Sequence, residues 1–341
     1  MKNKKWLALA AAVVLAVTAL PATAFAEKKD STDDKMLTKI TLNEVAHSIF
    51  YAPQYVAIEK GYFKDEGLDL TLITGFGADK TMTAVISGEA DIGFMGAEAS
   101  IYAYQEGATD PVVNFAQLTQ RAGNFLVARE EMPDFKWEDL KGRKVLGGRK
   151  GGMPEMVFEY ILKKNGIDPQ KDLTIDQSID FGSTAAAFTG DDSAAYTVEF
   201  EPSATILEKE GAGYVVASLG EASGYVPYTS YSAKESYMKE NPEIIQKFTN
   251  ALQKGMDYVQ SHTPEEIAEV IAPQFKETDL DTITTIVKRY YDQDTWKENL
   301  IFEKDSFELL QDILEDAGEL NTRAEYEKLV ETEYAQKACE S

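Results

Sequence analysis

Residues 40–61, ITLNEVAHSIFYAPQYVAIEKG, have the pattern of a strand, a loop and a helix in immediate succession. Pro53 suits the first helical turn, and Gly61 suits the left-handed position after the last turn. The loop at residues 44–52 is then expected at the carboxyl end of a parallel strand, beside the free N–H groups of a helix N-terminus. Open α/β sheets bind ligands at such places. An ordinary βα turn with core aromatics has the same pattern, so this stretch alone leaves both interpretations open.

Residues 1–26 have the pattern of a secretory signal peptide. Three lysines precede an apolar run at residues 6–20, and Ala24-Phe25-Ala26 forms a small-residue cleavage site. We therefore expect cleavage after Ala26 and a protein that works outside the cytoplasmic membrane, in a periplasm or at the extracellular face. An uncleaved N-terminal anchor is the alternative. No cysteine ends the apolar run, so we expect no lipid anchor, and the polar residues 27–39 are expected to form a flexible leader.

The composition excludes several classes of function. The formal net charge is −24, and the predicted signal peptide carries three lysines and no acid, so the remaining chain is still more acidic. Such a charge repels nucleic acids and anionic lipids. Two histidines exclude a histidine-rich metal site, and the single cysteine, Cys339, excludes an intrachain disulfide. We expect a monomer with neither a metal nor a cofactor.

The order of predicted elements indicates two α/β domains. A strand, a loop and a helix recur three times between residues 40 and 107, which favours a parallel sheet with right-handed crossovers. A second series predicts another α/β domain at residues 126–227. From residue 241 onward the pattern is helical, and these helices are expected to pack on the first domain. The last of them, a weaker helix, is predicted at residues 324–333.

Several segments resemble the exported solute-binding proteins of ABC importers. They are YVAIEKGYFKDEGLDLTLITG (55–75), AVISGEADIGFMG (84–96), DLKGRKVLGGRKGG (139–152), EFEPSATILEKEG (199–211) and SYMKENPEIIQKFTNAL (236–252). The branch is the one serving nitrate, alkanesulfonates, taurine and thiamine pyrimidine precursors. The resemblance implies a periplasmic-binding-protein type II fold, in which two lobes, each a mainly parallel sheet flanked by helices, hold a small-molecule ligand in the cleft between them. It also implies an ABC permease and its ATPase as partners.

The resemblance places lobe 1 at residues 40–125 and 228–341 and lobe 2 at residues 126–227. The family binds its ligand with the loops that follow the strands, and only residues of those loops are carried over. They are His47, Ser48, Phe50, Tyr51, Phe76, Gly77, Gly96, Ala97, Glu98, Thr119, Gln120, Arg121, Arg149, Gly151, Gly152, Met153, Glu199 and Glu201. Tyr228 is a further ligand-binding candidate, as a ring that can stack on the ligand.

Each candidate residue has a structural alternative. Phe50 and Phe76 could belong to the lobe core, and Arg121 could pair with an acid on this acidic chain. Glu201, which precedes Pro202, could cap a helix or brace the hinge. The aromatic candidates favour stacking on a flat ring, whereas Arg121 and Arg149 favour a sulfonate, a carboxylate or nitrate. We favour an aromatic or heterocyclic ligand and keep the anion as the alternative.

A catalytic function is less consistent with the sequence. The same fold includes a thiamine-pyrimidine synthase that carries a cysteine cluster, and the corresponding segment here, GYVPYTSYS at residues 224–232, contains no cysteine. Two histidines do not supply a convincing Ser/His/Asp or Cys/His set. We expect a non-catalytic binding protein for transport, with a sensor or interaction module of the same fold as the alternative.

The signal-peptide pattern gives a first prediction. Intact-mass spectrometry of the exported protein should show an N-terminus at Glu27 and no acyl group, because the cleavage site is followed by no lipid-accepting cysteine. A retained Met1 or an added lipid mass would contradict it.

Overall fold

Two five-stranded mixed sheets organise the part of the chain that the structure describes. The computed structural model describes residues 37–340, and of Phe181 only the backbone; the predicted signal peptide and the leader up to residue 36 lie outside the described residues. The strands, in chain order, are β1 (Thr38–Glu44), β2 (Leu68–Thr74), β3 (Ile92–Gly96), β4 (Val112–Thr119), β5 (Phe125–Ala128), β6 (Lys144–Leu146), β7 (Thr174–Asp176), β8 (Tyr196–Glu199), β9 (Tyr214–Ser218) and β10 (Thr229–Lys234).

Both sheets have the same mixed topology. The first has the order β2-β1-β3-β10-β4 and the second β7-β6-β8-β5-β9. In the first sheet β1 is parallel to β2 and β3, and β10 lies antiparallel between β3 and β4. In the second sheet β6 is parallel to β7 and β8, and β5 lies antiparallel between β8 and β9. Four of the five strands in each sheet therefore run one way, which confirms the predicted α/β class with mainly parallel sheets.

The helices cover the sheets and form most of the chain after β10. They are α1 (Ala52–Glu59), α2 (Tyr62–Asp65), α3 (Ala78–Ser87), α4 (Glu98–Gln105), α5 (Met153–Lys164), α6 (Thr184–Gly190), α7 (Ser203–Lys209), α8 (Leu219–Ser223), α9 (Glu235–Glu240), α10 (Pro242–Ser261), α11 (Pro264–Ile271), α12 (Leu280–Asp292), α13 (Lys304–Asp316), α14 (Tyr326–Leu329) and α15 (Glu333–Cys339). Local signals set several boundaries, since α10 and α11 begin at prolines and Gly88 ends α3 with a φ of 80°. The described residues contain no helix long and apolar enough to span a membrane.

Two sequence-based predictions about these elements need correction. β1 begins at Thr38, two residues before the predicted start. The predicted helix at residues 324–333 is wrong, because α14 and α15 are separated by Val330, which is extended and forms an isolated bridge to Asn114. Asn114 also donates from Nδ2 to the Leu329 carbonyl oxygen at 3.0 Å. These tertiary hydrogen bonds outweigh the helix propensity of the segment.

The late helices contact both sheets rather than the first alone. α10 packs on α1, α2 and α15, beside the first sheet, as predicted. In contrast, α13 packs on α5 of the second sheet, and α12 carries Arg289, which donates to the Glu201 carboxylate at 2.8 Å and pairs with Glu208. The prediction that these helices pack on the first domain is therefore incomplete. The C-terminal segment therefore contacts elements of both sheet layers.

The close crossing of α1 and α10 gives a second prediction. A Cβ added at Gly255 would lie 2.3 Å from the Pro53 carbonyl oxygen and 3.2 Å from the Ala57 Cβ. Gly255→Ala should therefore lower the free energy of unfolding by roughly 1–3 kcal/mol, the usual cost of overpacking. Gly190→Ala is the matched control, because nothing lies within 4 Å of its added Cβ. Equal urea midpoints for the two variants would contradict the prediction.

Candidate functional site

The loop after β1 brings buried aromatic rings towards the second sheet. Ser48 accepts a hydrogen bond from the Phe50 backbone N–H at 3.3 Å and donates from Oγ to the Glu201 carbonyl oxygen at 3.3 Å. Phe50 is fully buried, with its ring centroid 5.6 Å from that of Tyr228. The ring of Tyr51 meets Phe94 of β3 edge-on at 4.5 Å. The loop therefore supplies a wall of aromatic rings, and the hydrogen bond from Ser48 to Glu201 connects it to the segment after β8.

Glu98 lies at the start of α4 with only 3% of its surface exposed. Its side chain folds over Gly96, where an added Cβ would fall on the carboxylate, so a larger residue at position 96 would displace the Glu98 side chain. The backbone N–H of Met153, at the start of α5 in the other sheet's layer, acts to lower the pKa of this carboxyl group. Oε2 has no hydrogen-bond partner among the described residues. Glu98 thus begins α4 with a buried carboxylate that keeps one oxygen without a protein partner.

Burial raises the pKa of Glu98 to about 7, although the backbone N–H groups of Glu98 and Met153 and the charge of Arg149 act in the opposite direction. Burial is also the main cause of the raised pKa of Tyr51, Tyr102 and Tyr228, and the negative charge of Glu98 contributes in each case. Their hydroxyl groups therefore stay protonated and can donate hydrogen bonds.

Two of these hydroxyl groups already have acceptors. Tyr228 donates to Asn124 Oδ1 at 2.5 Å, and Tyr102 donates to the Gly151 carbonyl oxygen at 3.3 Å. Asn124 is fully buried, and its Nδ2 has no hydrogen-bond partner in the described part of the chain. We call Tyr51, Glu98, Tyr102, Asn124 and Tyr228 the Glu98 centre. It contains one buried acceptor and one buried donor that the protein does not satisfy, which is unusual for buried polar atoms.

The Glu98 centre includes or adjoins several of the predicted residues. Tyr51, Glu98 and Tyr228 belong to it. Another group adjoins it through backbone atoms or van der Waals contact: Phe50, Gly96, Ala97, Gly151, Gly152 and Met153.

Other predicted residues have structural partners. Thr119 pairs with Thr229 of β10, and Gln120 donates to the Asp294 carbonyl oxygen at 3.1 Å. Glu201 accepts from Thr205 as well as Arg289, which agrees with the bracing alternative. Glu199 is buried and accepts from two threonine hydroxyl groups at 3.0 and 2.6 Å.

Arg121, Phe76 and His47 take positions that differ from a simple ligand contact. Arg121 donates from Nη1 to the Gly220 carbonyl oxygen and lies 4.2 Å from the ring centroid of Tyr225, so it braces the segment after β4 against the segment after β9 rather than pairing with an acid. Its Nε is buried and has no hydrogen-bond partner among the described residues. Phe76 is 76% exposed, which excludes the core alternative for this residue. It follows β2 with a φ of 58°, and Gly77, with a φ of 149°, donates to the Val45 carbonyl oxygen.

His47 directs both ring nitrogens to protein groups. Nδ1 lies 2.8 Å from Glu44 Oε1, and Nε2 lies 2.9 Å from the Gln274 carbonyl oxygen. The ring stacks on Phe275 with a centroid distance of 4.8 Å. Its polar atoms are therefore occupied by the protein itself.

Sequence reasoning missed Tyr102, Asn124 and Trp296. Trp296 donates from Nε1 to the Phe50 carbonyl oxygen at 2.8 Å and is buried, although it lies far along the chain. Asn124 directly precedes β5. A polar residue at the start of a predicted strand is the one feature of the sequence that could have indicated it as a site residue. For Tyr102 and Trp296 the sequence gives no local signal. No group of three or more His, Cys, Asp or Glu side chains within residues 37–340 is arranged to hold a metal ion.

The family model described as "NMT1/THI5 like" matches residues 49–267, which include the whole Glu98 centre and the two connections between the sheets, from β4 to β5 and from β9 to β10. The chain belongs to the NMT1/THI5-like family. A curated relative, "Putative binding protein YtlA" of Bacillus subtilis (strain 168), is 46% identical over 98% of this chain and 98% of its own length. A more distant one, the "4-amino-5-hydroxymethyl-2-methylpyrimidine phosphate synthase" of Aspergillus parasiticus, is 26% identical over 62% of this chain and 63% of its own.

Solved structures with low sequence identity share the fold of this chain. The "Ligand Binding Component of ABC-type Import System" from Staphylococcus aureus matches with a TM-score of 0.72 and 15% identity, covering 89% of this chain and 100% of its own. The alkanesulfonate-binding protein SsuA from Xanthomonas axonopodis pv. citri, bound to MOPS, matches with a TM-score of 0.69 and 14% identity. The match covers 86% of this chain and 98% of the SsuA chain. At these identities the likeness establishes the fold alone. This NMT1/THI5-like chain therefore has the solute-binding fold of ABC-type import components.

The burial of Glu98 gives a third prediction, for stability. Its pKa in the folded protein, about 7, lies above the ordinary value of 4.5, so its contribution to stability is complete below about pH 4.5 and is lost as pH rises through 7. The free energy of unfolding of Glu98→Gln, measured relative to that of wild type, should therefore rise by on the order of 3 kcal/mol between about pH 5 and pH 8. Urea unfolding at both pH values measures this gain. Glu89→Gln, at an exposed site, is the control and should track wild type.

Proposed function

We propose that this chain is the solute-binding component of an ABC importer and that it captures a flat nitrogen heterocycle, neutral or cationic, that carries N–H donors. The observation that carries the proposal is the buried Glu98 carboxylate with an unpartnered Oε2 beside Tyr51 and Tyr228. The fold and the family support the binding role. Export, cleavage after Ala26, a monomeric state and delivery to a permease and its ATPase form part of the same proposal.

The free atoms of the Glu98 centre favour a ligand with both a donor and an acceptor. A buried carboxylate oxygen gains most from a charge-assisted hydrogen bond, which an amino group or a protonated ring nitrogen can supply. Asn124 Nδ2 is a free donor and suits an acceptor such as an unprotonated ring nitrogen or a carbonyl oxygen. The aromatic rings at Phe50, Tyr51 and Tyr228 suit a flat partner. These needs together describe an amino-substituted heterocycle.

An anionic ligand fits these surroundings less well. Arg121 donates from Nη1 to the Gly220 carbonyl oxygen and lies over the ring of Tyr225, although its buried Nε has no partner among the described residues and leaves one donor for an anion. Arg149 is half-exposed, and its charge already acts on two carboxylates, that of Asp79 at 3.8 Å and that of Glu98. A sulfonate or nitrate near an ionised Glu98 would meet a like charge in a buried site. The similarity to an alkanesulfonate-binding protein therefore supports the fold and does not support a sulfonate as the ligand.

We also propose that the protein is not an enzyme, although the family includes a pyrimidine synthase. Residues 224–232 contain no cysteine. His47 is engaged by Glu44 and Gln274, and His262 stacks on Tyr258 with a centroid distance of 3.6 Å. In this proposal the first sheet and the second sheet are the centres of lobe 1 (residues 40–125 and 228–341) and lobe 2 (residues 126–227). The connections at residues 120–124 and 219–228 then act as the hinge.

Calorimetry with two probe panels tests the proposal and is the fourth prediction. Amino-substituted pyrimidines and purines form the ring panel, and taurine and nitrate form the anion panel. We expect binding within the ring panel only. Glu98→Gln should weaken that binding by about tenfold to 100-fold, since a charge-assisted hydrogen bond becomes a neutral one. Tyr51→Ala should weaken it by on the order of 100-fold through the lost ring contact.

Phe76→Ala is the matched aromatic control, because that ring is exposed, and it should change the affinity less than about twofold. Circular dichroism checks the fold of each variant. Tight binding of an anion that Glu98→Gln leaves unchanged would overturn the ligand class. Loss of import in cells that lack the gene, measured with the ring compound that binds, separates a transport component from a sensor of the same fold.

A further inference from the structure

We propose that His47 is a positioning residue: held as an imidazolium between Glu44 and the Gln274 carbonyl group, it fixes the loop that carries Tyr51, so that protonation of His47 strengthens ligand capture. The inference rests on the proposed function, because it concerns the loop that supplies the aromatic wall of the Glu98 centre. It assigns His47 a position behind the ligand and not against it.

The two hydrogen-bond partners of His47 require two ring protons. Nδ1 lies 2.8 Å from a carboxylate oxygen of Glu44, and Nε2 lies 2.9 Å from the Gln274 carbonyl oxygen. Both oxygens are acceptors, whereas a neutral imidazole has only one N–H donor. Both contacts are therefore satisfied only by the imidazolium. In agreement, the hydrogen bond to Glu44 raises the pKa of His47 above 6.5, despite the opposing effect of burial.

Glu44 connects His47 to the rest of the loop. The Glu44 carboxylate is fully buried and also accepts from Gln54 Nε2 and the Tyr55 hydroxyl, both at 2.8 Å. The Tyr55 hydroxyl in turn accepts the Ser48 backbone N–H at 3.2 Å. Ser48 caps the short turn Ile49–Tyr51 that carries the aromatic wall. The ion pair is thus two hydrogen bonds away from the residues that face the Glu98 centre.

Loss of the proton leaves Glu44 without a countercharge. Its other donors, Gln54, Tyr55 and Thr74, are neutral, and a buried carboxylate without a cation is costly. A neutral His47 also gives up one of its two hydrogen bonds, either to the β1 end or to the corner after α11. The loop is then held less firmly in its binding conformation, and ligand binding has to restore that order.

The charged surroundings of His47 are simple. Glu44 at the end of β1 is the direct partner, and Tyr55 from α1 contributes a hydroxyl 3.1 Å from Nδ1. Glu59 of α1 lies one step further out, bonded to the side chain of Gln274. The corner after α11 contributes the Gln274 carbonyl oxygen and the Phe275 ring. The contribution of the ion pair is thus full below about pH 6.5 and is lost as pH rises through the raised pKa of His47.

Imidazole NMR on the full-length protein tests the protonation state and is the first part of the fifth prediction. The chain has two histidines, so His262→Gln identifies the His47 signals. We expect both His47 nitrogens to be protonated at about pH 6, with a titration midpoint above 6.5 that falls in Glu44→Gln. A midpoint at or below 6.5 would overturn the proposal. This measurement needs no ligand, so it stands even if no ring compound binds.

Affinity for a ring-panel compound tests the positioning role. Glu98 titrates in the same range, so the readout is the ratio of the dissociation constants of His47→Gln and wild type, in which the effect of Glu98 cancels. The ratio should be about tenfold near pH 6 and approach one above the His47 midpoint. His262→Gln should give a ratio of one throughout. A ratio for His47→Gln that does not change with pH would mean a merely structural histidine. Failure of every ring compound to bind wild type would contradict the proposed function and leave the NMR result to decide the state of His47.

Discussion

Two buried carboxylates lie at the ends of neighbouring strands of the first sheet. They differ in the number of hydrogen-bond donors that the protein supplies to each. Glu44 ends β1 and accepts from His47, Gln54, Tyr55 and Thr74. Glu98 follows β3, the strand paired with β1, and has a free Oε2. A buried carboxylate is tolerated when its partners are complete and is costly when they are not. The first therefore fixes the structure, whereas the second is the natural place for a ligand donor.

The satisfied carboxylate also organises what surrounds it. Gln54, which donates to Glu44, accepts from the Tyr231 hydroxyl at 2.8 Å, and the Tyr231 ring stacks on Phe94 with a centroid distance of 4.1 Å. Phe94 in turn meets the ring of Tyr51. The polar network around Gln54 and the aromatic stack through Phe94 thus converge on Tyr51. The position of Tyr51 is determined from both sides, which a preorganised binding wall needs.

Contacts between the two sheet layers are of two kinds. Buried or half-buried ones involve backbone atoms: the Ser48 hydroxyl donates to the Glu201 carbonyl oxygen, and the Tyr102 hydroxyl donates to the Gly151 carbonyl oxygen. Exposed ones are ion pairs such as Arg149 with Asp79, which contribute little in water. The buried contacts therefore define the geometry of the Glu98 centre. The late helices reinforce it, because α12 and α13 touch elements of the second sheet.

The sequence alone determined the features that depend on neighbouring residues. The helices α3 and α10 have the predicted ends because glycine and proline act locally, and the strand β4 matches because its residues favour an extended conformation. The resemblance carried by short motifs predicted the family and the fold. Tyr51 and Glu98 were candidates because the resemblance points to the loops that follow predicted strands, and Tyr228 was a candidate because its ring can stack on a flat ligand.

Only the tertiary structure decided which of those candidates lack partners. Glu98, Glu199 and Glu201 look alike in the sequence, yet Glu201 has Arg289 and Thr205, Glu199 has two threonine hydroxyl groups, and Glu98 keeps a free oxygen. Those partners are set by packing between distant segments, which no local pattern records. The same reason explains why Trp296 was missed and why residues 324–333 do not form one helix. Hydrogen bonds made across the fold decide burial and satisfaction, and these in turn decide the chemistry of the site.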